Sequence, residues 1–305
     1  MDTAESGSRD TGPGLEKAAL KALSRRSDRR GLAQLVAHLA LLVVSGTVVL
    51  AALGSLWLLP ALLIHGILLS FLFAPLHECI HRTAFAGRRL NDVVAAAFGA
   101  VLLLPAGYFR AFHLTHHRFT QDRARDPELA GPPLRTRRDY LVKISGLPYW
   151  GERLATTLRH AAGRVTEDFL PAHQQRTVIR EARLYLGVYG LLAGVSFAAG
   201  SWLLVWLWIL PALLGQPFLR LYLLAEHWDC PEVPDMLANS RSTATNRALA
   251  FLCWNMNRHT AHHAFPAVTF HALPAADRLL ACRAGVRTAG YAKLQGQIWQ
   301  RLAGT

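Results

Sequence analysis

Four apolar runs constrain this chain more than any other feature. Residues 32–53, 56–74, 184–199 and 202–225 each come close to the ~20 apolar residues that carry a helix across a bilayer. In lipid every backbone N–H and C=O must be satisfied inside the protein, so runs of this length are expected as helices. The first two meet at Gly54-Ser55 and the last two at Gly200-Ser201, which predicts two tight helical hairpins. A fifth apolar segment, residues 93–105, is shorter and ends in proline. It reads as a buried or interfacial helix rather than a crossing. The expected fold is all-α and integral to a membrane, with four transmembrane helices in two hairpins.

Charge placement orients the hairpins. Arg25, Arg26, Arg29 and Arg30 precede the first run, Arg82, Arg88, Arg89, Arg110 and Arg118 lie between the hairpins, and Arg241, Arg247, Arg258 and Arg283 follow the last run. Positive charge marks the cytoplasmic side, so all three regions belong there, which requires an even number of crossings. Counting residues 93–105 as a crossing would put "HLTHH" and "HECIH" on opposite sides. Trp57 and Trp202 then fall at the outer interface. The expected location is a bacterial inner membrane, with both termini and a helical cap in the cytoplasm.

The composition, 52% hydrophobic and 17% charged, suits a membrane protein with a sizeable water-facing part. The net charge of +13 does not indicate nucleic acid, because the arginines sit between apolar runs rather than on a basic, aromatic-interleaved face. Cys79, Cys230, Cys253 and Cys282 form no CxxC pair, so neither a disulfide framework nor a zinc ribbon is implied. Residues 1–30 read as a disordered leader followed by a short amphipathic stretch, and residues 31–305 as one domain.

Nine of the fourteen histidines fall into groups. "HECIH" places His77 and His81 four apart, on one helix face. "HLTHH" places His113, His116 and His117 at i, i+3 and i+4, and "HTAHH" repeats that spacing with His259, His262 and His263. His227 stands where the fourth run ends, and Pro75, just before the first group, is positioned to kink the second run. One zinc takes about four ligands, so nine imidazoles point to two metals. Ring nitrogens suit Zn, Cu, Fe and Ni alike, and the near-absence of carboxylates excludes the soluble Glu/His di-iron bundle. Glu78, Glu226 and Asp126 are candidate acceptors for ring N–H groups, as are Asp122 and Asp229 unless arginines claim them. His271 is a further outer-sphere candidate. His38 and His65, within the spans, are expected to be packed and hydrogen-bonded; His160 and His173 are expected to be solvated.

These groups, with "AEH" at residues 225–227, resemble the histidine boxes of the membrane fatty acid desaturase and hydroxylase superfamily. The resemblance runs from about residue 32 through "CPEVPDML", "NSRSTATNRALAFLCWNMNRH" and "HHAFPAVTFHALP". It implies that His77, His81, His113, His116, His117, His227, His259, His262 and His263 hold two irons at the cytoplasmic end of a four-helix membrane bundle. It also implies O₂ as co-substrate, an apolar or lipid substrate, and electrons from a separate ferredoxin or cytochrome-type donor with its reductase. The expected activity is desaturation of a fatty-acyl or related lipid chain. The alternative is hydroxylation of an alkane, lipid or other apolar molecule, because "RHTAHH", with Ala261 inside the box, leans towards alkane hydroxylases. A metal transporter is a third class, but its ligands belong near mid-span, whereas these groups lie beyond the span ends.

Overall fold

The computed structural model describes residues 17–302. α1 (Lys17–Leu23) is the amphipathic stretch; the residues before it lie outside the described part, and with them the disordered leader. α2 (Asp28–Ala51) begins on Ser27, whose hydroxyl accepts from the Arg30 N–H. That satisfies one of the free donors at the helix start. Gly54, at φ +76°, turns the chain into α3 (Leu58–Ser70), and α4 (Phe73–His81) follows after a two-residue break. α3 and α4 together make one 24-residue span that carries the first histidine group at its end.

Two further helices meet at a sharp bend. α5 (Arg88–Val101) and α6 (Ala106–Phe119) are set at 101°, and together are apolar enough to count as a broken span or re-entrant segment. α7 (Arg137–Ile144) and α8 (Leu147–Ala161) follow. α9 (Ala172–Ala198) carries the third apolar run in its C-terminal half. A π-helical turn, Val205–Ile209, then leads into α10 (Leu210–His227). By length and composition three helices suit a membrane, Asp28–Ala51, Leu58–His81 and Val205–His227, with the bent pair as a fourth. α9 is not among them. Its apolar half is nonetheless turned outward, with Phe197 90% exposed.

The C-terminal part comprises α11 (Arg247–Leu252), α12 (His259–Ala264), α13 (Leu273–Leu279) and α14 (Tyr291–Arg301). It adds a feature the all-α expectation lacks: β1 (Arg241–Thr243) pairs in parallel with β2 (Val286–Thr288). Three-residue strands with no alternating pattern give no sequence signal.

Helix breaks in the spans are repaired by histidines. Pro75 has no N–H for the Phe71 carbonyl. The chain tightens there, with Leu72 N bonding Leu69 O and Ala74 N bonding Phe71 O. That leaves the Leu68 carbonyl free, and His38 Nε2–H donates to it at 3.0 Å. In α10, Pro211 likewise frees the Leu207 carbonyl, which accepts from His65 Nε2–H at 3.0 Å, while Ser45 approaches the other ring nitrogen at 2.7 Å. An unsatisfied carbonyl in hydrocarbon costs several kcal/mol, so both intramembrane histidines are structural.

The principal partner of α10 is α3, where Gly66 and Gly215 face each other. A Cβ on Gly215 would lie 1.9 Å from the Gly66 carbonyl oxygen, so only glycine permits this backbone approach. α9 leans instead on α5, through Tyr185 and Tyr189 hydroxyls donating to the Ala96 and Ala100 carbonyls, and on α6, where Glu181 accepts the Gly107 N–H. The core that fixes the first two histidine groups lies between these layers, around Leu76, Ile80, Phe85, Phe98, Phe109 and Trp254.

Candidate metal centre

Every grouped histidine arrives at one end of the bundle. His77 and His81 come from α4, His113, His116 and His117 from the last turns of α6, His227 from the final residue of α10, and His259, His262 and His263 from α12. α12 is six residues long and buried throughout its first five. It is too short to be stable alone, so packing of Ala261 with Met256, Val268 and Leu273 holds it in place.

The rings form two sets. His77, His81, His113, His117 and His262 offer five nitrogens within 4.8 Å of one another, and His116, His227, His259 and His263 offer four. Within the first set, Nε2 of His113 lies 2.7 Å from Nε2 of His77 and 3.0 Å from that of His117, which lies 2.9 Å from Nε2 of His262. Within the second, Nε2 of His227 lies 3.2 Å from that of His116 and 2.9 Å from that of His259. Ligands bound at about 2.1 Å to one ion sit roughly 3 Å apart. The two sets abut where His117 stacks on His263, with ring centroids 4.1 Å apart.

Outer partners fix which nitrogen faces inward. His116 Nδ1–H reaches both oxygens of Asp126, at 2.9 and 3.1 Å. His227 Nδ1–H donates to the Asn239 carbonyl at 3.0 Å. Thr120 gives its own proton to the His116 carbonyl, so its oxygen accepts from His263 Nδ1–H at 3.2 Å. His259 Nδ1 is 3.3 Å from a Glu226 oxygen. The hydrogen bonds of His116, His227 and His263 each leave an Nε2 lone pair directed into the cluster, whereas His259 Nδ1 makes no hydrogen bond. Nε2 of His81 and of His263 is buried with no hydrogen-bond partner, as expected of atoms made for an ion. Burial, reinforced by neighbouring rings, holds His259, His262 and His263 well below the usual imidazole range and so neutral. Neutral rings are the form that binds metal. The residues present therefore fit a pair of metal ions.

The matches to known proteins agree with this arrangement. The profile of the family described as "Fatty acid desaturase" covers residues 55–292, most of the chain and all nine grouped histidines. The chain belongs to the fatty acid desaturase family. It is thereby a member of an oxidoreductase family, and all its grouped histidines lie within the matched residues. A curated relative, an sn-1 oleoyl-lipid 12-desaturase from Picosynechococcus sp., is 25% identical over 226 residues, which span 68% of this chain and 64% of the relative.

Other histidines and carboxylates sort differently. Glu78 lies 4.0 Å from His77 Nδ1 and accepts instead from the Thr83 hydroxyl at 2.6 Å. Asp122 and Asp229 are taken by Arg125 and Arg301. His271 is turned away from the cluster, bonding Arg30 at 3.0 Å and Thr269. His173 is exposed, but His160, expected to be solvated, is wholly buried and pairs with Glu167 at 3.0 Å. Arg159 and Arg164 lie close to it in sequence, and the fold of the α8–α9 connection over Tyr108 encloses it. Thr120 and Asn239 went unsingled in the sequence. Thr120 stands three residues past His117 and offered a weak signal, whereas Asn239 acts through its main chain and offered none.

Proposed function

We propose that the chain is a membrane-bound di-iron desaturase, using O₂ and external electrons to place a double bond in a fatty-acyl or related lipid chain. One observation carries this reading: nine histidines from four separate helices converge as two adjacent sets at the end of an apolar bundle. Five nitrogens exceed the four that zinc usually takes, which favours iron, and the family match and the lipid-desaturase relative favour an acyl substrate. The two irons, when bound, supply the oxidising power to remove hydrogen from an unactivated carbon, which side-chain acid–base groups lack.

The chain's own residues do the rest. The histidines hold and orient the metals, and Asp126 and Glu226 offset their charge. Phe109, buried against His113, and the partly buried Phe73 against His77 keep water from the cluster. Four crossings, counting the outward-facing half of α9, and a cytoplasmic metal site with the termini on that side complete the reading. The location is a bacterial inner membrane, and the arginines around α6 and α12 face the compartment of a ferredoxin or cytochrome-type donor. Expression with a generic reductase system and mass spectrometry of extracted lipids tests it. Loss of two hydrogens supports the proposal; gain of one oxygen would reassign the enzyme as a hydroxylase; no lipid change together with stoichiometric zinc would overturn it.

A further inference from the structure

A second polar cluster lies inside the bundle, apart from the histidines, and consists almost wholly of donors. Gln216 on α10 is 1% exposed, and neither its Nε2 nor its Oε1 has a hydrogen-bond partner. Nε of Arg220, one turn further along α10, is buried and unpartnered, as are Nε1 of Trp150 and Nε of Arg153 on α8. Arg220 makes no ion pair within 4.0 Å among the described residues; its guanidinium sits 4.4 Å from the Tyr149 ring centroid. Tyr149 has already given its proton to the Leu102 carbonyl at 2.9 Å. Arg153 is partly spent on Glu152 and lies over Tyr108.

The start of α8 lies against the same spot. Its first cap, Gly146, at φ +74°, offers no side-chain bond, and a Cβ there would come within 2.5 Å of Gln216 Cγ. The partial positive charge of that helix end adds to the two arginines. Buried donors are nearly always satisfied, and a cation within a membrane span marks a binding or transport role by default. Four orphan donors, two of them cationic, outnumber the one orphan acceptor beside them, Gln216 Oε1. Arg220 precedes His227 by seven residues on the same face of α10, about 10 Å along the axis.

The geometry points to a receptor for the carboxyl oxygens of the acyl substrate, formed by Gln216 and Arg220 with the N-terminus of α8. This rests on the acyl-substrate reading and deepens it. The cluster holds the carboxyl end of the chain, as free acid or as ester, at a fixed distance from the metals, so position is measured from that end.

Competition against radiolabelled oleate on the purified full chain in detergent tests it without reference to turnover. The competitors are oleate, methyl oleate, dioleoyl phosphatidylglycerol and 9-octadecene. The hydrocarbon is expected to compete at least about tenfold more weakly than the best carboxyl-bearing ligand. R220M and Q216L are expected to abolish that preference, and R220K to retain part of it. Oleate ahead of its ester identifies a free carboxylate, and parity or preference for the lipid identifies an ester; either supports the receptor. Equal competition by 9-octadecene, or an undiminished preference in both folded variants, overturns it. Should R220M and Q216L fail to fold, the wild-type ranking alone decides. A failure here leaves metal content and lipid oxidation untouched, so it is distinguishable from failure of the desaturase proposal.

Discussion

The two histidine sets differ in what stands behind them. In the four-ring set, Nδ1 of His116, His227 and His263 each finds a hydrogen-bond acceptor, and that of His259 faces Glu226. In the five-ring set, Nδ1 of His77, His113, His117 and His262 has none, and the nearest carboxylate is Glu78, 4.0 Å from His77. One set has fewer ligands that are oriented and charge-compensated; the other has more ligands with little behind them. Outer acceptors raise ligand basicity and fix ring angle. On the di-metal reading proposed above, the four-ring set would hold its metal more tightly, and the five-ring set, relying on number of ligands, would exchange it more readily.

The largest effect expected is loss of either set. H116A and H262A remove one ligand from each, and both should abolish lipid oxidation while leaving membrane insertion intact. Retained turnover in either variant, measured by mass spectrometry of extracted lipids, would break the assignment for that set. Next, D126N should weaken metal binding at the four-ring set by about 10–100-fold. E78Q should change the five-ring set little, because Glu78 makes no hydrogen bond to its histidine. Metal titration of both variants compares them, and equal effects would remove the asymmetry. A smaller, kinetic difference is expected under mild chelation. Metal should leave in two phases, with D126N accelerating only the slow one; a single phase would mean the sets are equivalent.

The smallest effect lies outside the metal centre. Burial opposes ionisation of Glu167, but the hydrogen bonds and charge of His160 outweigh it and bring the carboxyl down to about 2. A carboxyl lowered on folding stabilises the protein above its unfolded pKa of 4.5, and that contribution is lost as pH falls towards about 2. E167Q should therefore cost about 1–3 kcal/mol at neutral pH, by thermal unfolding, with the difference from wild type shrinking below pH 4.5. An unchanged melting temperature would mean the pair is not structural.

The contrast between the sets also marks what the sequence disclosed. The ring-bearing residues were legible because i, i+3, i+4 spacing is a local property of a helix, and so were the apolar runs of α2, α3–α4 and α10, because apolarity is summed over a run; the run in α9 does not make a candidate span. The acceptors were only partly legible. Asp126 and Glu226 are carboxylates close in sequence to a box, but the Asn239 carbonyl and the Thr120 hydroxyl reach their rings only through tertiary folding. The same reason hid the burial of His160 and the short β1–β2 ladder. The break at Pro75 was foreshadowed, but the sequence did not reveal that His38 and His65 would repair the carbonyls freed by proline. Nor did the Gly200-Ser201 turn foretell that α10 would pack on α3 through Gly66 and Gly215, leaving α9 to lean on α5 and α6.

Metal analysis of anaerobically purified protein, with Mössbauer spectroscopy on an iron-57 preparation, tests the account most directly. Two irons per chain in two distinct environments are expected, falling to one under mild chelation of the wild type and below one when D126N is treated in the same way. A single iron, two indistinguishable irons, or zinc filling the sites would contradict it.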